Sequence, residues 1–462
     1  MTNGLKAMNK HIVNVQKEVN PSFRSVWTSD KPYNILKGGR NSFKSSVIAL
    51  KLVYEMTKYI RKGEKANVVV LRKVASTIRD SIYNKIQWAL NKFGFTVVSG
   101  VGNGDFKATV APFKITHNGT GSTFYFYGLD QFEKLKSNDI NDIIAVWYEE
   151  AAEFDDVEDF DQTNVTFMRQ VHELAPFVQF FWSYNPPRNP YSWINSWADQ
   201  MAGEDDYLVH ESSYKDDELG FVTEQMIADI ERIKRNDYDY YRYLYLGEPV
   251  GLGNNVYNMN LFKPLKELPS DDRIIGLYYS IDGGHSVSAT TFGCFGLTAK
   301  GNVILLNTYY YSPAGRVNKK APSDLAKDLN EFIRRTSTQQ EYENARIMNR
   351  TIDSAEAALR NQYYKDYGQH LKPVNKKRKV DMIDYVHLLL ANGRFFYLEK
   401  PYPIGMEHAD SNDIFIEEHR KFQWKEDTLN TDNPRVVEEE DHTCDMFIYL
   451  CVDNARDFRL RR

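Results

Sequence analysis

The chain has 462 residues, 42% apolar and 26% charged, with a formal net charge of −5. That balance excludes collagen-like, low-complexity and wholly disordered chains, and the length predicts two to four domains at roughly 150 residues each. No stretch approaches the ~18 uninterrupted apolar residues of a membrane span, so no membrane association is expected, and Met1–Lys10 lacks the apolar core of a secretory signal.

In chain order, the first 30 residues read as helical to irregular. Tyr33–Leu36 reads as a strand running into the polar, glycine-containing stretch Lys37–Ser46, and Val47–Met56 has helical composition. Asn67–Leu71 is a continuous apolar run of the kind a buried parallel strand shows. Ser81–Phe93 reads as a helix, and Ser122–Tyr127, Asp142–Tyr148 and Phe177–Tyr184 as strands. Strands alternating with helices predict an α/β domain with a mainly parallel sheet. From about Gly203 the chain reads as polar and helical. Gly247–Asn255, rich in glycine with one proline, marks the best domain boundary.

A new pattern begins near Ile274. Gly276–Ile281, Ser288–Gly296 and Val303–Tyr311 predict an antiparallel meander, with a turn at Thr298–Asn302. Ser323 is placed as the N-cap of a helix carrying Leu325, Leu329, Phe332 and Ile333. Ile347–Ile352 reads as a strand ending at Asp353. Helices follow over Ala355–Asp366, Val380–Ala391 and His442–Asn454. The resulting division is 1–246 (with a helical lid or linker region at about 203–246), a linker at 247–270, and 271–462.

Charge is unevenly spread. Residues 1–100 hold 18 Lys and Arg against 5 Asp and Glu; the remainder holds 40 against 58. Such a basic block either binds phosphate or forms a solvated face. The three cysteines, Cys294, Cys444 and Cys451, form no Cys-x-x-Cys pair, which predicts a reducing compartment and no thiolate zinc site.

Gly38-Gly39-Arg40-Asn41-Ser42-Phe43-Lys44-Ser45 follows the Gly-x-x-x-x-Gly-Lys-[Ser/Thr] pattern except that Phe43 replaces the second glycine. Strand, loop and helix occur in the order that surrounds phosphate with backbone N–H groups and a helix N-terminus. Lys44 would then contact the β- and γ-phosphates and Ser45 the Mg²⁺ ion of ATP. Phe43 must adopt a backbone geometry that glycine tolerates more easily; an ordinary glycine-rich turn is the alternative. The strand Ile143–Tyr148 leads into Glu149-Glu150. A first acid there supports the metal and a second activates water, unless the pair simply opens the acidic loop that follows. Asn185, closing another strand before Pro186-Pro187, reads either as a sensor of the γ-phosphate or, more simply, as an Asn-Pro turn.

Asp282 and Asp353 both end strands of the second half. Asp441, His442 and Asp445 open the last helix at i, i+1 and i+4, which puts them on one face. Strand-end carboxylates with one or two from a helix build an oxygen-rich site suited to Mg²⁺ or Mn²⁺, and two such cations stabilise both oxygens of a phosphodiester displacement. Meander, helix, then strand with Asp is the order of a ribonuclease H-like nuclease domain. Each Asp alone would more often be a cap or turn residue.

The ordered series of these motifs resembles the large terminase subunit of tailed bacteriophages. It includes the phosphate loop, Val70-Leu71-Arg72-Lys73, Gly128-Leu129-Asp130, Trp147–Ala151 and Tyr184–Pro187. It continues through Tyr214–Asp216, Leu246–Glu248, Ile281–Gly284, Tyr310–Ser312, Ile352–Ser354 and His442–Asp445. The resemblance implies a P-loop ATPase domain followed by a ribonuclease H-like nuclease domain. It implies ATP-driven movement of double-stranded DNA into a procapsid through the portal protein, and metal-dependent cutting of concatemers. Carried over, Lys44 and Ser45 bind nucleotide and Mg²⁺, Glu149 supports the metal, Glu150 is the base and Asn185 couples hydrolysis to motion. Asp282, Asp353 and Asp445 hold nuclease metals with His442 or Asp441 assisting. Arg40 and Arg169 are candidates for a charge-stabilising arginine. A small terminase subunit, a homo-oligomeric ring on the portal (with monomers in isolation) and the host cytoplasm are implied as well. Lys376–Lys379, Arg459, Arg461 and Arg462 are candidate DNA backbone contacts, or solvated charge. A recombination or helicase-like ATPase with a branched-DNA nuclease, and an adaptor with a degenerate ATPase domain, are the rivals.

Overall fold

The computed structural model describes residues 13–100, 102–129, 140–251, 253–284, 288–316 and 318–460. The readings on Met1–Lys10, Asp130, Leu252, Arg461 and Arg462 lie outside the described residues. By contact the chain divides into two compact units. The first runs to Ile227 and includes Tyr241–Gly251; the second combines Ala228–Tyr240 with the chain beyond Gly251.

The first unit is built on one nine-stranded sheet. Its strands are β1 (Tyr33–Gly38), β2 (Asn67–Arg72), β3 (Val97–Ser99), β4 (Phe106–Val110), β5 (Phe113–His117), β6 (Thr123–Gly128), β7 (Ile143–Glu149), β8 (Gln179–Tyr184) and β9 (Tyr207–Ser212), in the order β3-β4-β5-β6-β2-β7-β8-β1-β9. From β6 to β9 every pairing is parallel. The strands β2 and β7 are buried along their whole length, as their continuous apolar runs require. One face packs on the helix Lys44–Ile60 through Val47, Ile48, Leu52 and Met56. The other carries an aromatic cluster of Tyr148, Phe160, Phe180 and Trp182.

Tyr207–Ser212 corrects the helical reading of the chain after Gly203. Tyr207 and Val209 pack on one face of the sheet and Leu208 on the other, so the three-residue apolar run is a strand alternating between faces. Among the described residues it pairs only with β1, at the sheet's edge, and its apolar run of three residues is a short signal in the sequence.

The second unit holds a seven-stranded sheet: β10 (Lys263–Leu265), β11 (Ile274–Asp282), β12 (Thr290–Thr298), β13 (Val303–Tyr311), β14 (Arg346–Ile352), β15 (Lys372–Pro373) and β16 (Phe395–Leu398), ordered β10-β16-β13-β12-β11-β14-β15. The antiparallel meander β11-β12-β13 is flanked by parallel β14 on one side and β16 on the other. Helices Pro322–Ser337 and His442–Asp453 pack near it. The first of these starts one residue before Ser323: Pro322 takes the first helical position, and Asp324 accepts from the Ala321 N–H at 2.9 Å, so Ser323 is not the cap.

Two segments fall differently from the division read in the sequence. Ala228–Tyr240 belongs with the second unit, where Asn236 donates to the Ala391 carbonyl at 2.9 Å and Arg232 to Asn392 at 3.2 Å. Residues 253–270 are not a free linker either: Val256 donates to Phe422 O at 3.0 Å, and β10 lies on the sheet's edge against β16.

Candidate active sites

The first site forms where β1 ends at the C-terminal edge of the parallel sheet, between β8 and β9. Gly38 and Gly39 are required there by space: a Cβ on Gly38 would lie 1.9 Å from Ser212 O, and one on Gly39 2.0 Å from Tyr245 O. The loop is held from outside, with Gly39 N donating to Ser212 O at 3.1 Å and Arg40 N to Leu244 O at 2.7 Å. Asn41 (φ 62°) and Phe43 (φ 68°) are both left-handed. Phe43 meets the geometric demand placed on it, and its ring packs edge-on to Phe221 and against the core under the helix. That packing offsets the roughly 1–2 kcal/mol of left-handed strain.

Lys44, buried at the start of the helix, donates to Gly38 O (2.9 Å), Gly39 O (3.1 Å), Ser42 Oγ (2.8 Å) and Asn185 Oδ1 (3.0 Å). Burial lowers it to about 8, against the pull of Glu150 and Glu149. The Ser45 hydroxyl donates to Glu149 Oε1 at 2.7 Å. Ser183 donates to the other Glu149 oxygen and in turn accepts from Trp147 Nε1 at 2.7 Å. Glu150 follows in a left-handed conformation (φ 54°); desolvation first, then the Glu149 charge, pushes it up to about 7. Lysine, hydroxyl, paired carboxylates and Asn185 thus converge on one sheet edge. This donor set fits a nucleotide with its divalent cation: Lys44 for phosphate, Ser45 and Glu149 for the cation. A cavity of about 380 Å³ beside the loop, lined by Gly38, Ser212, Asp216, Leu246, Gly247 and Pro249, offers room for the rest of a nucleotide.

The two arginine candidates part company. Arg40 is in the loop, half-buried. Arg169 is exposed beside Gln170, whose carbonyl accepts from Ile143 N at the start of β7. Seven residues of strand, roughly 20 Å, separate that end from Glu149, so Arg169 does not serve this chain's own phosphate loop. Sequence reasoning passed over the role of Arg72. It ends the apolar strand β2, is buried, donates to Glu153 at 3.0 Å, and its positive charge faces Glu150. An arginine closing a continuous apolar strand run was the available signal.

The second site lies at the ends of β11 and β14. Asp282, buried, is raised to about 7, chiefly by burial, with His442 opposing and Asp445 and Asp353 adding. His442 Nδ1 lies 3.2 Å from Asp282 Oδ2, and that contact raises the imidazole. The Tyr449 hydroxyl lies 3.2 Å from both Asp353 and Asp445. Asp441 occupies the N-cap position of the last helix without a side-chain capping bond, and is raised to about 6 by burial and then by Asp445. Buried Glu418 pins that helix, accepting from Thr443 N at 2.6 Å and Thr443 Oγ1 at 2.7 Å, and Ser280 Oγ ties it to β11 by donating to Met446 O at 2.7 Å. Glu356 is a further buried carboxylate beside Gly283, where a Cβ would meet its Cδ at 2.6 Å.

Topology therefore gathers Asp282, Asp353, Asp445, His442 and Asp441, but not as the ready cation cage the sequence suggested. Among the described residues no three His, Cys, Asp or Glu side chains are arranged to hold a metal ion. Lysines stand between the acids: Lys376 pairs with Asp353 at 2.7 Å, and Lys379 pairs with Asp445. Burial opposes the Lys379 charge, yet Asp445 holds it above its ordinary value. Two members of the basic run read as DNA contacts thus face the acids, while Arg378 pairs with Asp381 at 2.9 Å and Arg459 is exposed. Buried carboxylate oxygens with one imidazole still fit a hard divalent cation by donor chemistry.

A parallel sheet with a phosphate loop, followed by a meander sheet with an acidic cluster at its strand ends, defines a P-loop fold followed by a ribonuclease H-like fold. Residues 30–248 match the family described as phage terminase large subunit, and residues 282–453 match the terminase RNase H-like domain. The chain belongs to the phage large terminase family. It is 29% identical over 249 residues to the terminase large subunit of Bacillus phage SPP1, covering 52% of this chain and 55% of that relative. It is 33% identical over 141 residues to the PBSX phage terminase large subunit of Bacillus subtilis (strain 168), covering 30% and 29%. The match thus spans about half the length of the first of these relatives and less of the second. The large terminase of a thermophilic bacteriophage shares the fold, with a TM-score of 0.73 at 18% identity over 95% of this chain and 98% of that one. The complex of that same terminase with ADP superposes with a TM-score of 0.72 at 18% identity, over 95% and 99%.

Proposed function

We propose that this chain is the motor and nuclease of viral DNA packaging, hydrolysing ATP in the first unit to move double-stranded DNA and cutting concatemers in the second. The observation that carries the ATPase half is the hydrogen-bonded path from Asn185 through Lys44 to the loop, with Ser45 and Glu149 joined beside it. The ADP and ATP-γ-S complexes of the thermophilic phage's large terminase support nucleotide as the ligand. Lys44 binds and orients the phosphates. Ser45 and Glu149 would hold Mg²⁺, which supplies charge neutralisation at the β- and γ-oxygens when bound. Glu150, raised toward neutrality, takes the proton of the attacking water. The Arg72 charge favours the ionised form of Glu150 that accepts it.

In the second unit Asp282, Asp353 and Asp445, with His442 and Asp441, would hold Mg²⁺ or Mn²⁺, which supplies the charge that activates water and steadies the leaving oxygen. The substrate is double-stranded DNA gripped through its phosphates, so binding falls steeply with salt. The portal protein and a small terminase subunit are the expected partners, in a ring on the procapsid within the host cytoplasm. The test of the first half is ATP turnover with and without linear duplex. Wild type turns over ATP and is stimulated by DNA, and Lys44→Ala and Glu150→Gln each lose at least a hundredfold. Equal turnover in either variant removes that residue from the site.

A further inference from the structure

In the acidic cluster of the second unit, two residues of one short basic segment face inward. Lys376 lies 2.7 Å from Asp353 Oδ1 and 2.8 Å from Asp353 Oδ2. Lys379, three residues on at the start of the helix Lys379–Ala391, pairs with Asp445 on the last helix. The Tyr449 hydroxyl lies between those two acids, and the Lys376 ammonium sits 5.2 Å from the centre of the same ring. Each lysine thus takes an oxygen that a divalent cation needs. Neither is sealed in: 39% of the Lys376 side chain and 27% of that of Lys379 reach solvent. Lys377 and Arg378, between them, are exposed.

We propose that Lys376 and Lys379 are built-in counter-cations of the nuclease centre, which divalent metal must displace and which DNA phosphate draws off. The inference rests on the nuclease reading of this cluster. An ammonium on a carboxylate and a dication on the same oxygen repel each other, so the two occupancies compete. A phosphodiester arriving at the exposed side of the segment offers each lysine another anion within the reach of a four-carbon stem. Metal and DNA then bind with positive coupling, and by linkage each strengthens the other equally. The cluster stays metal-poor until a duplex is seated, which restrains a cutting centre carried on a motor that must pass long DNA intact.

Calorimetric titration of Mn²⁺ into the full chain tests this at pH 8, without DNA and with a phosphorothioate duplex that resists cutting. Wild type binds Mn²⁺ weakly alone and at least tenfold more tightly with the duplex. Lys379→Met and, separately, Lys376→Met bind Mn²⁺ at least fivefold more tightly than wild type without DNA, and the gain on adding duplex shrinks by a similar factor. Thermal melts accompany each titration, and the more exposed Lys376 keeps the test open if Lys379→Met fails to fold. Asp282→Asn separates the two claims, because Asp282 touches His442 and neither lysine. If wild type binds Mn²⁺, Asp282→Asn abolishes that binding, and folded lysine variants keep wild-type affinity, the counter-cation proposal is wrong and the nuclease reading stands. If wild type and Asp282→Asn take up Mn²⁺ alike at this cluster, or wild type takes up none in either condition, both fall.

Discussion

Lys44 in the phosphate loop donates a 3.0 Å hydrogen bond to Asn185, 141 residues away at the end of β8. The contact links the group that would hold the γ-phosphate to the strand that continues into Pro186 and the cavity beside the loop. A phosphate bound at Lys44 competes for the same ammonium, so nucleotide state and the position of Asn185 are tied together. Replacing Asn185 by Ala removes that tie while leaving Lys44 bonded to Gly38 and Gly39. The expected result is nucleotide affinity within about threefold of wild type, by fluorescent-ADP titration, with DNA stimulation of turnover reduced at least tenfold. Undiminished stimulation would assign Asn185 to the turn alone.

Glu150 supplies a pH signature. Held up to about 7 by burial and by Glu149, it is protonated below that pH and cannot accept a proton from water. Turnover measured as kcat/KM therefore rises from pH 6 to about pH 7.5 with an acid-side midpoint near 7, by up to about tenfold per pH unit below it, and falls again as the Lys44 ammonium, lowered to about 8, loses its proton. The ordinary carboxylate range near 4.5 is the outcome this account does not allow.

The acidic cluster behaves likewise for a different reaction. Asp282 is raised to about 7 and Asp441 to about 6, so the folded protein carries protons there that the unfolded chain would have released. For a raised carboxyl the sign is fixed: its contribution to stability is present at low pH and fades as pH rises through 7. Metal must displace those protons. Mn²⁺ affinity is accordingly lower at pH 5.5 than at pH 8 by about tenfold or more, and Mn²⁺ raises the melting temperature more at pH 8 than at pH 5.5. A melting temperature that Mn²⁺ raises equally at both would contradict the protonated state of Asp282.

Phe43 in the place of the second glycine does not disable the loop. It already holds the left-handed backbone that the position demands, braced by Phe221. Phe43→Gly relieves roughly 1–2 kcal/mol of strain and gives up a comparable amount of half-buried packing. The variant should melt within a few degrees of wild type and retain turnover. Gly39→Ala, whose Cβ would sit 2.0 Å from Tyr245 O, should instead lose nucleotide binding, because the loop must move off that carbonyl.

Much of this was legible in the chain because its signals are local. The continuous apolar runs of β2 and β7, the loop between β1 and its helix, and the aspartates at strand ends all announce themselves within a few residues. What escaped depends on distant partners. Tyr207–Ser212 is a strand only because β1 offers it an edge. Ala228–Tyr240 reads as an ordinary charged helix and is assigned by Asn236 and Arg232 reaching Ala391 and Asn392. Lys376 and Lys379 look like outward-facing charge until Asp353 and Asp445 are folded beside them. Arg169 has the chemistry of a phosphate-binding residue but sits at the wrong end of β7.

In the proposed function one chain carries two chemically separate centres, one for a nucleotide and one for DNA. The most direct measurement is a paired assay on the full chain, scoring ATP turnover and Mn²⁺-dependent plasmid cleavage in Lys44→Ala and in Asp282→Asn. Lys44→Ala should lose turnover and keep cleavage without ATP, whereas Asp282→Asn should lose cleavage and keep turnover. Loss of both activities in each folded variant, or cleavage that survives Asp282→Asn, would contradict the separation of the two centres.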